Sequence, residues 1–446
     1  MKKIVCTWFV LVICSAVLFA ENGILERLQQ IPQVSDIKKW EVSPFLEYYE
    51  FRFEQPVDHT RPESGSFKQK VLLGHRAAEA PVIAELEGYA IGAVRENELA
   101  GLLKGNQLTI EHRFFDSSVP EDGIPWEYLT IKQAAADHHA VIQAIKQHLY
   151  PSSKWVSTGI SKGGQTTVFH RYFYPDDVDV SVPYVAPLNL EYVDPRLDKF
   201  LNKLGVVKEG VGMFFGVGSV PEDCRYNIRD FQLLCFKHLD DLLPCLEKVA
   251  AERGYTYEKV GGMRRALELI ILEYPFAFWQ WGNSCEEIPD TEDAGDWQEV
   301  FDYLVKISSP DFFEDEYIKR MQPFFYAALT ETGMYDYNVK PFRKFLKDKG
   351  NIDFSFTWPE GIVRKPFNTR QMEEINTWLQ TKAERILFVY GGSDPWYATA
   401  VDLKKNDKCR KYVRGDMSHI CRIKDIDPVS REDLIETLKE WLAVKP

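Results

Sequence analysis

The chain of 446 residues is 45% hydrophobic and 27% charged, the balance of a globular protein with a sizeable core. Its length accommodates two or three average domains, or one large domain with an insertion. A formal net charge of −13 argues against nucleic-acid and anionic-membrane partners, both of which reward an excess of Lys and Arg.

Lys2 and Lys3 precede an uncharged apolar run from Ile4 to Ala20, which reads as a signal peptide cleaved after Ala20. The run is short for a bilayer span, so a membrane anchor is the weaker reading. No later segment is apolar enough for a stable membrane span, and the mature protein is expected to be soluble and either secreted or periplasmic. Cys6 and Cys14 leave with the signal. Cys224, Cys235, Cys245, Cys285, Cys409 and Cys421 remain, an even set that in an exported chain favours disulfides over a metal site. No Cys-x-x-Cys spacing occurs, and neither metal nor cofactor is expected.

The mature chain opens with strand-like runs at Tyr48–Phe53 and Phe67–His75, then a short apolar strand at Val82–Leu86 ending in Glu87-Gly88-Tyr89. The spacing predicts a helix over Arg95–Lys104, a strand over Gln107–Phe115 and a long helix over Ile131–Leu149. A strand at Lys154–Thr158 is followed by a helix from Gly163 and another strand at Val178–Val185. This alternation implies a mostly parallel sheet with helices on both faces. It lapses between 195 and 380, where helical patterns and aromatics dominate. It resumes with strands at Arg385–Tyr390 and Cys409–Val413 and a closing helix over Arg431–Ala443. The reading is an α/β domain formed by residues 21–194 and 381–446, split by a helical cap at 195–380.

Gly159-Ile160-Ser161-Lys162-Gly163 fits the nucleophile elbow of α/β-hydrolases, in which a serine sits on a tight strand-to-helix turn with small neighbours. The bare pattern arises by chance in roughly one chain in ten of this length. Here the flanking strand and helix supply the required context. In such folds the acid follows a late strand and the histidine follows the last one. Asp394 leaves the strand ending at Tyr390, ahead of Asp402, Asp407 and Asp416 as candidates. After His238 the chain has a single further histidine, His419. The order Ser161, Asp394, His419 excludes the orders of the two other familiar serine peptidase folds. His419 would act as general base and acid, with Asp394 fixing its tautomer. The oxyanion would be met by the backbone N–H of Lys162 and by a donor from Gly88-Tyr89. A Ser–Lys pairing through Lys162 is superfluous beside a complete histidine route. A Cys409–Cys421 disulfide would close a short loop around His419. His112, His138 and His139 lack metal-ligand spacing and read as structural.

Taken together, these residues resemble the secreted tripeptidyl aminopeptidases, serine peptidases distantly similar to prolyl carboxypeptidase. The resemblance spans nearly the whole mature chain. It is carried by Glu54-Gln55-Pro56-Val57-Asp58-His59, Glu87-Gly88-Tyr89, Asn106-Gln107 leading to Glu111-His112-Arg113-Phe114-Phe115, and Ala136-Asp137-His138-His139. It continues through Thr158–Thr166, His170–Pro175, Tyr274-Pro275-Phe276, Phe278-Trp279-Gln280 and Asp394-Pro395-Trp396. It implies release of short peptides, tripeptides foremost, from substrates with a free N-terminus, beneath a cap domain. Such an enzyme must meet a charged α-amine with a carboxylate, and Glu331, Glu87 and Glu111 are the candidates. Trp396 and Tyr89 could line an apolar side-chain pocket. An esterase or lipase on the same fold is the alternative within enzymes, and a binding protein that keeps the fold without catalysis is the alternative outside them. Oligomeric state is not legible in the chain.

Overall fold

The computed structural model describes residues 23–205, 224–290 and 296–443. The expected signal peptide lies outside the described residues. Among those described, one nine-stranded sheet runs in the order β1-β2-β3-β5-β4-β6-β7-β8-β9. The strands β1 (Val34–Trp40), β2 (Glu47–Pro56) and β3 (Ser66–His75) form an antiparallel edge, and β3 pairs antiparallel with β5 (Asn106–Ile110). From β5 onward the sheet is parallel, through β4 (Val82–Leu86), β6 (Trp155–Ile160), β7 (Val180–Tyr184), β8 (Leu387–Gly391) and β9 (Arg410–Arg414). The central strands β4, β5, β7 and β8 are buried along their whole length, as expected where both faces of a parallel sheet are covered.

Helices α1 (Ile24–Gln29), α2 (Glu98–Leu103), α3 (Ile131–His148), α4 (Lys162–Phe173) and, at the end of the chain, Pro428–Ala443 cover those faces. In α3, Val141, Ile142 and Ile145 meet Val82, Ala84 and Leu86 of β4 on one face. Ile83, one residue out of phase, packs on the other face with Val156, Val180 and Leu387. Between β7 and β8 lie helices α5 (Pro195–Leu201), α6 (Cys224–Lys237), α7 (Leu239–Arg253), α8 (Met263–Trp281), α9 (Trp297–Ile307), α10 (Asp315–Ala327) and α11 (Arg370–Thr381). Most of them share a separate core around Phe231, Tyr274, Phe278 and Phe301. Helix α11 differs. Its Met372, Ile375 and Leu379 pack with Val168 and Phe169 of α4 and Phe388 of β8, so it covers the sheet, although the sequence reading gave it to the insertion.

The expected strand over 107–115 ends early, at Ile110. Glu111 turns its carboxylate onto the Ile91 N–H and the Ser118 hydroxyl, at 2.9 and 2.7 Å, and Phe114 and Asp116 take positive φ, which ends the ladder. The expected Cys409–Cys421 bridge is also absent: both thiols are buried and free. Cys409 packs with Ile386, Phe388 and Tyr390 on one face of the sheet, whereas Cys421 packs with Leu387 and Val389 on the other. The sheet itself stands between them. The disulfide that forms joins Cys224 to Cys285 within the insertion, while Cys235 and Cys245 are free.

Candidate active site

Ser161 sits between β6 and α4 with φ 58° and ψ −120°, a left-handed φ that L side chains rarely adopt. Neighbouring backbone holds it there: its N–H donates to the Tyr184 carbonyl at 2.9 Å, and its own carbonyl accepts from the Gln165 N–H at 2.9 Å. A Cβ at Gly159 would collide with the Gly163 carbonyl across the turn, so glycine is required on steric grounds.

Asp394 leaves the end of β8 fully buried. One carboxylate oxygen accepts from the Trp396 N–H at 3.0 Å, and the other lies 2.6 Å from His419 Nδ1. An ionised carboxylate only accepts, so His419 Nδ1 is the donor in this pair. The loop bearing His419 is tied to the insertion, because the His419 N–H donates to the Gln280 carbonyl at 3.1 Å. Trp281 meets the imidazole edge-on at 6.2 Å.

Ser161 and His419 open onto one cavity of about 710 Å³, walled by the sheet's carboxyl end on one side and by α8 and α10 on the other. The size falls in the range of small-ligand pockets. Tyr89 lines the same cavity. Trp396 also lines the cavity, packed edge-on against Tyr335 at 5.5 Å.

The three glutamates singled out from sequence part company. Glu87 lines the cavity, and burial, with Glu85 nearby, pushes its carboxyl well above the usual range. Glu111 is spent on the Ile91 N–H and Ser118 and does not reach the cavity. Glu331 accepts from the Ile131 N–H at 2.9 Å, so it caps α3 instead of facing Ser161. Burial raises its carboxyl to about 7. The sequence reading missed Glu273. This carboxylate lies on α8, lines the cavity, and accepts from the Tyr335 and Tyr337 hydroxyls at 2.8 Å each. Burial pushes it up to about 7 against those two bonds. Its sequence setting gives one signal: an acid set within the apolar stretch Leu269-Ile270-Ile271-Leu272 to Phe276-Ala277-Phe278 of α8.

The side chain of Lys162 is buried and donates to the Gly88 carbonyl at 2.6 Å, away from any pairing with Ser161. Other marks of the resemblance are architectural. Arg113 grips Asp137 with two bonds of 2.7 Å and donates to the Val57 and Tyr128 carbonyls, while His59 meets Asp137 from the other side. His139 and His170 both bond Asp177.

Among solved structures the chain is similar to proline iminopeptidase of Mycobacterium smegmatis at 12% identity, covering 88% of this chain and 98% of that one, with a TM-score of 0.43. It also matches a 2-hydroxy-6-oxo-6-phenylhexa-2,4-dienoate hydrolase of Rhodococcus at 10% identity, covering 91% and all of that chain, with a TM-score of 0.38. Prolyl tri/tetrapeptidyl aminopeptidase of Streptomyces mobaraensis is 28% identical over 433 residues, covering 96% of this chain and 86% of the relative. The model of the PS-10 peptidase S37 family matches residues 20–446, and the chain belongs to that family.

Proposed function

We propose that this protein is a serine aminopeptidase that releases short peptides, tripeptides foremost, from free amino termini through an acyl-enzyme on Ser161. The observation that carries the reading is one cavity holding Ser161, the His419–Asp394 pair and a buried carboxylate, Glu273, with no cation against it among the described residues. Membership of a peptidase family and the name of the Streptomyces relative support it.

In this mechanism His419 Nε2 takes the proton of Ser161 as the hydroxyl attacks the scissile carbonyl. Asp394 holds the imidazole in its tautomer and stabilises the imidazolium. The negative oxygen of the tetrahedral intermediate is met by the backbone N–H groups of Lys162 and Tyr89. His419 returns the proton to the leaving amine, and water then hydrolyses the ester by the same route. Glu273 receives the substrate α-ammonium. The carboxylate is already desolvated and braced by two tyrosine hydroxyls, so little rearrangement is needed when the cation arrives. Glu87 lines the same cavity as a second acid, its carboxyl raised to about 8 by burial. The run from Lys2 to Ala20 and the Cys224–Cys285 disulfide support export from the cytoplasm.

Hydrolysis of matched peptides with free and acetylated amino termini tests the reading. The free series should be turned over and the acetylated series should not. Equal rates would identify an esterase-like hydrolase that ignores the amine. Glu273→Gln should raise KM for the free series about 10- to 100-fold with kcat largely kept, the loss expected for one hydrogen bond to a charge.

A further inference from the structure

We infer that the Lys162 side chain is a positioning residue that aims the second oxyanion donor, so that one residue supplies one N–H of the hole and orients the other. The inference rests on the serine mechanism proposed above.

A trans peptide is planar, and its C=O and N–H point in opposite directions. The carbonyl of Gly88 and the N–H of Tyr89 belong to one such plane. The Lys162 ammonium donates to that carbonyl at 2.6 Å, which fixes the direction in which the Tyr89 N–H points. The rest of the strip is pinned independently: the Glu87 N–H donates to the Ile110 carbonyl at 3.0 Å, and the Tyr89 carbonyl accepts from the His112 N–H at 3.1 Å. With its two ends tied, the Gly88–Tyr89 plane keeps one rotational freedom, and Lys162 removes it. Sterics require the same closeness. A Cβ on Gly88 would stand 2.6 Å from the Gly163 nitrogen and 2.6 Å from Lys162 Cβ, so the loop presses directly on the start of α4.

The charge is not spent on an ion pair. No carboxylate pairs with Lys162 among the described residues, and its ammonium lies over the rings of Tyr89 and Phe115 at 5.7 and 5.4 Å. Burial lowers it to about 7. The titratable groups around it are Tyr89 and Glu87 on the loop, His112 after β5 and His138 on α3. Burial drives both histidines down, so they remain neutral while Lys162 titrates. A charged donor makes a hydrogen bond roughly twice as strong as a neutral one. The grip on Gly88 therefore weakens as the ammonium loses its proton, on the alkaline side of its pKa.

The test compares wild type, Lys162→Met and Lys162→Gln on a free-amine peptide. Lys162→Met should lower kcat about 30- to 100-fold, less than outright deletion of an oxyanion donor, with KM changed less than about threefold. Affinity for a peptide boronate, whose tetrahedral adduct fills the hole, should fall in parallel with kcat, while affinity for the product tripeptide stays constant and reports an intact fold. Lys162→Gln, which keeps a neutral donor, should fall between the two. The wild-type kcat should decline on its alkaline limb, and Lys162→Met should lack that decline. A variant that matches wild type in kcat and boronate affinity, or one that loses product and boronate affinity equally, overturns the inference. Failure of wild type to cleave any peptide would instead overturn the aminopeptidase reading.

Discussion

Two buried polar regions of the molecule are built on opposite principles. Around Arg113 every charge is answered. The fully buried guanidinium grips Asp137, which His59 also meets, and nearby Asp58 takes Thr60, Arg61 and Gln133. Burial alone would raise Asp137, but Arg113 and His59 outweigh it and hold it below the usual carboxylate range. Around Ser161 the charges are left open. Glu273 and Glu87 are forced up by burial and Lys162 is forced down, and none has an ion-pair partner among the described residues. Saturated networks hold a fold together, whereas unsaturated ones keep free energy in reserve for a ligand.

Substitutions should separate the two sharply. Asp394→Asn leaves the packing in place but offers His419 the wrong hydrogen-bonding partner. Steady-state kinetics should show kcat lower by about 10⁴-fold with thermal stability nearly unchanged. Arg113→Ala strands Asp137, so denaturant unfolding should show a loss of about 3–5 kcal/mol, with the folded fraction retaining its KM. If that variant instead lost turnover selectively, the division between the regions would fail. Glu273→Gln should stabilise the ligand-free protein, and the sign follows from its raised pKa. The folded acid holds a proton that the unfolded chain releases above about 4.5, so wild-type stability falls as pH rises from there to about 7. The two proteins should match near pH 4.5 and differ above 7 by on the order of 3 kcal/mol, readable from paired unfolding curves. Glu331, raised to about 7 in the same way, should respond with the same sign: Glu331→Gln keeps an acceptor for the Ile131 N–H and should leave the fold at least as stable above pH 7, with KM for peptides unmoved.

The parts of the site legible in sequence are those where backbone geometry dictates residue type locally. The turn at Ser161 tolerates little beyond glycine at 159, and a strand before it and a helix after it complete the signal. Asp394 and His419 follow from strand order and from the shortage of late histidines. The strands were legible for the same reason, through their continuous apolar runs. What escaped depends on which side of an element a residue faces. Glu111 and Glu331 carry the right charge, but each is consumed by backbone N–H groups that the sequence does not reveal. Glu273 gained its place only because α8 turns that side of the helix toward the cavity. Cys409 and Cys421 are close in sequence, but their thiols lie on opposite sides of the sheet.

Helix α8 touches the chemistry at two points. Glu273 stands in the cavity wall, and seven residues later the Gln280 carbonyl holds the N–H of His419. Seven residues of α-helix rise about 10 Å, and three extended residues of peptide span about the same length. In the proposed mode the helix serves as a gauge, with a terminal amine seated at one mark and the bond to be broken at the other. In that mode the length of the fragment released follows from the spacing of the two marks, whatever side chains the fragment carries.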